Sequence, residues 1–413
     1  MSEQEATLDK PSGGLSDQET SSTPGEFQNS QVGAIAGAHF THDTYSGFLA
    51  PLLPLLRTSL GLSYAQAGSL VIVTQLASLL NPFIGYAADR VSVRYFVILA
   101  PAVTGTLFSI MGLAPNYFVL LLLLFAAGIS IAAFHAPAPA MIAKVSGSRV
   151  GTGMSAFMAA GELARAVGPL VVVGGVAWFG LVGIWRLAIV GWLVSIFLYF
   201  SLKSVPVTPR APGGTSLDGF WRQSKRLFPS LTWLMLGRIF MLVALTTYLA
   251  IYISDEREGT LWLAASALTI LEAAGFAGAL LAGTISDRFG RNRILLSLMI
   301  VSPLFFLLFI YGPAWLAFPM LILLGFTAIS PQPVMLALVQ DQFPDNRALG
   351  NGTFLAINFL VRAFGIWAVG LAADRIGLDN AFTIAAFLAF FSIPAVFFLP
   401  KGRIQPSVQP GSN

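Results

Sequence analysis

Apolar runs of about twenty residues recur along most of the chain, separated by short polar stretches rich in Arg, Lys, Asp, Gly and Pro. A run of that length crosses the hydrocarbon core of a bilayer as a helix at a rise of ~1.5 Å per residue. The pattern predicts about twelve spans, near 34–56, 67–88, 95–114, 117–142, 150–178, 181–202, 230–254, 262–285, 293–312, 314–340, 348–374 and 379–399. The longest internal polar stretch, Lys203 to Ser230, holds Pro206, Pro209, Pro212 and the Gly213-Gly214 pair, which mark a linker. The expected fold is therefore an all-α polytopic membrane protein in two six-helix halves. They cover 34–202 and 230–399, joined by a cytosolic linker over 203–229 and flanked by tails over 1–33 and 400–413.

The halves repeat each other. Leu163-Ala-Arg165-Ala-Val-Gly168 returns as Leu360-Val-Arg362-Ala-Phe-Gly365, and Gly85-Tyr-Ala-Ala-Asp89-Arg90 returns as Gly283-Thr-Ile-Ser-Asp287-Arg288. The offsets agree, since 362 − 165 = 197 and 287 − 89 = 198. Pro137-Ala-Pro139-Ala-Met141 and Pro331-Gln-Pro333-Val-Met335 add a third match, and these prolines are expected to kink the fourth and tenth spans. Parallel repeats with a shared central site describe a large class of membrane transporters.

Composition narrows the functional classes. At 56% hydrophobic and 10% charged residues, the chain is far more apolar than a soluble domain. It has no cysteine, so thiolate metal sites and disulfides are excluded. The net charge of +4 sits in short loops and forms no aromatic-interleaved patch of the kind that binds nucleic acid. The first residues lack a basic region followed by an apolar one, which points to a disordered cytosolic tail. Arg90, Arg94, Lys144, Arg149, Arg288, Arg291 and Arg293 fall on one side of the spans and far fewer basic residues on the other. The basic side is cytosolic, which places both termini inside a cytoplasmic (inner) membrane.

Ionisable residues inside the spans are the candidate site, because a charge at that depth costs several kcal/mol unless it faces protein or water. His39, Asp43 and Ser46 follow at i, i+4 and i+7 on the first span, with His42 at the border of that face. This stripe is expected to face a cavity, and a His beside a carboxylate can take and release a proton at working pH. The alternative is a structural pair locking the first span to the fourth or fifth. Glu162 and Arg165 lie at i, i+3 and can pair on their own helix, whereas Arg362 has Phe359 in the equivalent place and needs an anion from elsewhere. Arg238 and Glu272 lie near mid-membrane and either pair with each other or meet substrate. His135 is a further candidate contact on the fourth span. Substrate binding is thus assigned to Arg165, Arg362, His135, Glu272 and Arg238, and proton coupling to Asp43, His39, His42 and Glu162.

The phrase Gly283-Thr-Ile-Ser-Asp287-Arg288-Phe-Gly290-Arg291-Asn-Arg293 resembles the signature loop of the major facilitator superfamily, and the likeness covers residues 34–399. The first copy departs from it, with Ser92 in place of the usual Gly. Ala38-His39-Phe-Thr-His42-Asp43, Pro51-Leu-Leu-Pro54, Gln75-Leu-Ala-Ser78 and Phe134-His135-Ala-Pro137 resemble fosmidomycin-resistance-type efflux proteins. Gly168-Pro169 and its neighbouring glycines partly resemble the glycine-proline motif of drug–proton antiporters. The resemblance implies gating by Asp89, Arg90, Asp287, Arg288 and Arg291, which would hold one end of the cavity shut through charge pairs and helix amino termini.

The leading expectation is proton-coupled export of a small amphipathic or anionic compound by a protein that works as a monomer and needs no cofactor beyond the proton gradient. The alternative is a proton-coupled importer of a small anionic metabolite. A membrane-embedded hydrolase with His39, His42 and Asp43 as metal ligands is the distant third, since neither His-Glu-x-x-His nor Gly-x-Ser-x-Gly occurs. The absence of a Gly-x-x-x-x-Gly-Lys-Ser/Thr phosphate loop argues against primary transport.

Overall fold

The computed structural model describes residues 27–77, 94–135, 137–203, 217–343 and 347–400, and the regular structure in them is helical. The first half contains α1 (Asn29–Ser46), α2 (Leu49–Leu60), α3 (Tyr64–Leu76), α4 (Arg94–Ser109), α5 (Tyr117–His135), α6 (Ala138–Val145), α7 (Val150–Gly183) and α8 (Ala188–Leu202). The second contains α9 (Leu217–Val243), α10 (Leu249–Asp255), α11 (Leu261–Phe289), α12 (Arg291–Tyr311), α13 (Ala317–Leu324), α14 (Pro331–Gln342), α15 (Arg347–Ile376), α16 (Leu378–Ala389) and α17 (Ile393–Phe397).

Among the described residues, nine helical stretches are long and apolar enough to cross a membrane. One of them, Val150–Leu202, holds the fifth and sixth expected spans, turned at Gly180 with φ 68°. The first expected span is divided between α1 and α2 around Gly47, and the second enters the described residues only as α3. Large apolar side chains such as Trp178, Phe197, Phe200 and Phe391 stay exposed, as a lipid-facing surface requires.

Local sequence sets the breaks. Ser63 opens α3 with a capping box, accepting from the Gln66 amide while the Gln66 side chain accepts from the Ser63 amide. The expected kinks at the paired prolines are full interruptions: Pro137 precedes α6, and Pro331 begins α14 behind a π turn over Gly325–Ile329. A second π turn, Ala244–Tyr248, separates α9 from α10. The helix entering the seventh span starts at Leu217, earlier than the expected 230. Phe220, Ser224, Leu227, Phe228 and Leu231 are buried at i, i+4, i+7, i+8 and i+11, a stripe masked in the sequence by Arg222, Lys225, Arg226 and Pro229.

Helix α1 lies along α7, and the two backbones meet where Gly47 faces Gly168. The halves meet through α7 against α11 and α3 against α15. The Gln28 amide donates to Val145 O, and Asn292 near the α11–α12 turn donates to Leu399 O. We call the end of the molecule carrying these residues the terminal end and its opposite the distal end. The basic-residue pattern predicts that the distal end is outside the cell.

Candidate functional site

A cavity of about 410 Å³ lies between the halves, with Ser46, Gln75 and Arg165 on the wall of the first half and Arg238, Glu272 and Arg362 on that of the second. Four of the sequence-predicted charges, Arg165, Arg238, Glu272 and Arg362, therefore meet around one space, and the duplicated Arg165 and Arg362 face it from opposite halves.

Beside the cavity, Asp43 is the focus of a histidine cluster. His42 Nδ1 donates to its Oδ1 at 2.9 Å, His39 Nε2 lies 3.3 Å from Oδ2, and His135 Nε2 lies 3.5 Å from Oδ1. His39 Nδ1 is 2.8 Å from the Phe157 carbonyl, and His135 Nδ1 is 3.0 Å from the Ile131 carbonyl. A carbonyl only accepts, so both Nδ1 atoms carry hydrogen, and the Nε2 of each neutral imidazole is a lone pair aimed at a carboxylate. Two such acceptors facing an acceptor attract only when a cation sits between them. A hydrogen on either Nε2 or on the carboxylate would satisfy this arrangement. Ring stacking fixes the imidazoles, His39 on Phe157 at 4.0 Å and His42 on Phe134 at 4.4 Å.

The expected direction of the helix-1 stripe requires correction. His39, His42 and Asp43 are buried against α5 and α7, while Ser46 is the member that lines the cavity. The Phe157 carbonyl, His135 and Arg165 supply partners that protein rather than water provides. The side chain of His135, 39% exposed, is the open side of the cluster.

Arg165 joins this cluster to the rest. It pairs with Glu162 on its own helix, its Nη1 lies 3.9 Å from Asp43 Oδ2, and its Nε lies 3.9 Å from Glu272 Oε2 in the other half. Glu162, on the same arginine, stands one contact away from the histidine cluster. Arg238 does not pair with Glu272: its Nη2 donates at 2.5 Å to Ala328 O, a carbonyl inside the Gly325–Ile329 π turn. Arg362 Nη2 donates to Thr246 Oγ1 at 3.2 Å, within the Ala244–Tyr248 π turn. Among the described residues neither Arg238 nor Arg362 has a carboxylate in ion-pair range, and the Nε of each is buried without a hydrogen-bond partner.

The ligand atoms of His39, Asp43 and His135 lie within 4.8 Å of one another, a spacing that could also receive a metal. Arg165 on the same carboxylate oxygen opposes a dication there.

At the terminal end, Asp287 is exposed and lies 3.1 Å from Arg291, whose Nε donates to Asp341 Oδ2 at 2.5 Å. Arg291 thus ties the signature loop to the end of α14 within one half, and Arg288 points outward, exposed. Asp89 and Arg90 lie outside the described residues. Sequence reasoning missed Asp341, Asn358 and Gln332, polar residues in or beside apolar spans whose rarity there was the available signal.

A helical membrane protein whose two halves enclose a charged central cavity has the layout of a transporter. The chain belongs to the Major Facilitator Superfamily, whose sequence profile matches residues 35–344 and 263–412. It is similar to the fosmidomycin resistance protein of Escherichia coli (strain K12), 25% identical over 90% of this chain and 93% of that one. A probable 4-methylmuconolactone transporter of Cupriavidus pinatubonensis is 24% identical over 85% of this chain and 86% of its own. The D-xylose-proton symporter shares the fold, with a TM-score of 0.67 at 18% identity over 91% of this chain and 98% of that one. The protein is a transporter of this superfamily, embedded in a membrane and acting on small molecules.

Proposed function

We propose that the protein is a proton-coupled secondary active transporter that exports a small amphipathic or anionic compound by alternating access. The observation that carries this is Arg165, one guanidinium in reach of Asp43 in the proton cluster, Glu162 beside it and Glu272 across the cavity. Protonation of the cluster weakens the hold of Asp43 on Arg165, and the arginine can then shift to Glu272, withdrawing from a bound anion, which is released in exchange for the proton. Arg238 and Arg362 supply the remaining positive wall, His135 lets the proton in from the cavity side, and Asp287 with Arg291 and Arg288 gates the terminal end. Asp89 and Arg90 are assigned the matching role in the first half. The proton gradient is the energy source in this reading, and no cofactor is required. Similarity to a protein named for fosmidomycin resistance favours export from the cytoplasm across the inner membrane.

Import of an anion is the second reading, and one observation favours it. Asp43, Glu162 and Glu272 balance Arg165, Arg238 and Arg362, so with neutral histidines the site is uncharged and a proton and an anion entering together keep it so. Proteoliposomes carrying an imposed pH gradient test both. Export by exchange predicts that substrate accumulates on the acidic side, import by co-movement that it accumulates on the alkaline side, and accumulation indifferent to the gradient refutes proton coupling.

A further inference from the structure

The phrase that closes the second and eighth spans occurs a third time, as Gly370-Leu-Ala-Ala-Asp374-Arg375-Ile-Gly377, at the distal end of α15. The register holds at every fixed position: 370 − 283, 374 − 287 and 377 − 290 each give 87. Gly290 and Gly377 both take positive φ, 92° and 83°, so the same helix-ending turn follows both copies. One copy ends a helix at the terminal end and the other at the distal end, as helices of two inverted three-helix units would. The π turns in the first helix of each unit, Ala244–Tyr248 and Gly325–Ile329, fit the same relation.

The carboxylate of this third copy sits on the other half of the molecule. Asp374 Oδ1 accepts from the Tyr64 amide at 2.6 Å and Oδ2 from the Ala65 amide at 3.0 Å. These are the first two amides of α3, donors that the helix itself cannot satisfy, at the positive end of its dipole. Around this fork, Arg57 pairs with Asp255 across the halves at 2.6 Å, Tyr64 Oη donates to Asp255 at 3.2 Å, and Arg57 lies 4.0 Å over the Tyr64 ring. Beneath it, Tyr248 is wedged between Gly68 and Gly370, donating to Ile366 O at 2.8 Å, and a methyl group on either glycine would strike its hydroxyl.

We infer that Asp374 is a gating residue for transport: its carboxylate clamps the amino terminus of α3 and closes the cavity at the distal end. The third phrase then does at that end what the resemblance assigns to the other two at the terminal end. Asp374 is exposed, so water can replace its contacts and the clamp can open in every cycle. The inference depends on neither the direction of transport nor the proton cluster.

The chain has no native cysteine, so one introduced thiol reports access cleanly. Ala50→Cys places it on the cavity wall in reconstituted, oriented protein. A membrane-impermeant maleimide added at the distal side should label it at least three-fold faster in Asp374→Asn and Asp374→Ala than in the parent. Asp374→Glu should restore slow labelling, and labelling from the terminal side should fall in the Asn and Ala variants as the population moves to the distal-open state. Unchanged distal labelling overturns the inference. Faster labelling from both sides at once also overturns it, because that reports loosening of the whole fold.

Discussion

In the proposed function, Arg362 is the residue on which substrate charge depends. Its Nη2 donates to a neutral hydroxyl, Thr246 Oγ1, and among the described residues no carboxylate lies in ion-pair range, so an anion entering the cavity would meet a guanidinium whose charge is not neutralised. Arg165 is already engaged by Glu162 and stands between Asp43 and Glu272. A hydrogen bond to a charged partner contributes about 1.5–3 kcal/mol net, which corresponds to roughly ten- to a hundred-and-fifty-fold in affinity. Arg362→Ala should therefore weaken binding of an anionic ligand by about that factor, and Arg165→Ala should weaken it less. Arg362→Lys should recover only part, since an ammonium lacks the planar fork of the guanidinium. A thermal-stability screen of purified protein against phosphonates, organic anions and cationic drugs supplies the ligand, because binding to the folded state raises stability by mass action. Equilibrium dissociation constants are then measured at fixed ionic strength. If both alanine variants fold and bind every stabilising anion as the parent does, the arginines are structural and the substrate is neutral or cationic.

Two further outcomes concern the proton cluster. Asp43→Asn should abolish gradient-driven transport while leaving ligand binding measurable, because an amide NH₂ can donate to an imidazole Nε2 and removes the need for a proton; concentrative transport by this variant in proteoliposomes would take Asp43 out of coupling. Gly161→Ala would put a methyl group 2.6 Å from His39 Nε2, so the ring must leave Asp43 and the variant should lose substrate-driven proton movement as His39→Ala does; parental proton movement would show that His39 is dispensable.

The duplicated arginines, the acids beside them and the histidine-bearing first span were legible because charge is rare in apolar spans and rarity is visible one residue at a time. What could not be read was direction. A helix apolar on every side carries no periodic signal for which face meets which neighbour, so the His39–Asp43 stripe was expected on the cavity when it packs against α5 and α7. The π turns were equally hidden, since one extra backbone residue in a turn leaves no composition mark, yet they bring Ala328 O to Arg238 and Thr246 to Arg362. The third Asp-Arg phrase has no counterpart at the parallel offsets of 197 and 198 that relate the two halves. A comparison in the inverted sense, at 87, exposes it.

In the proposed proton-coupled cycle, the charge balance of the site sets the sign of coupling. A proton added to Asp43 or to His39, His42 or His135 raises the positive charge felt by a ligand at Arg165, Arg238 and Arg362, and two unit charges ~8 Å apart at an effective dielectric of ~20 interact by about 2 kcal/mol. For an anion that interaction is favourable, and linkage requires the anion to tighten the proton by the same factor, roughly thirty-fold. On this through-space effect alone, proton and anion travel together. Exchange needs the opposite sign, in which the proton drives the ligand out; a cationic or zwitterionic head placed against the cluster gives that sign, and so does an anion that loses Arg165 to Glu272 on protonation. Measuring the dissociation constant of the stabilising ligand across pH in the parent and in Asp43→Asn separates the cases. A constant that falls with pH marks the ligand as one that co-moves with a proton, and a constant that rises as pH falls marks it as one that exchanges. In either case Asp43→Asn should flatten the dependence. If the parent shows none, or if the variant keeps the parental slope, the histidine cluster and the cavity do not communicate, and Arg165 is not the link between them.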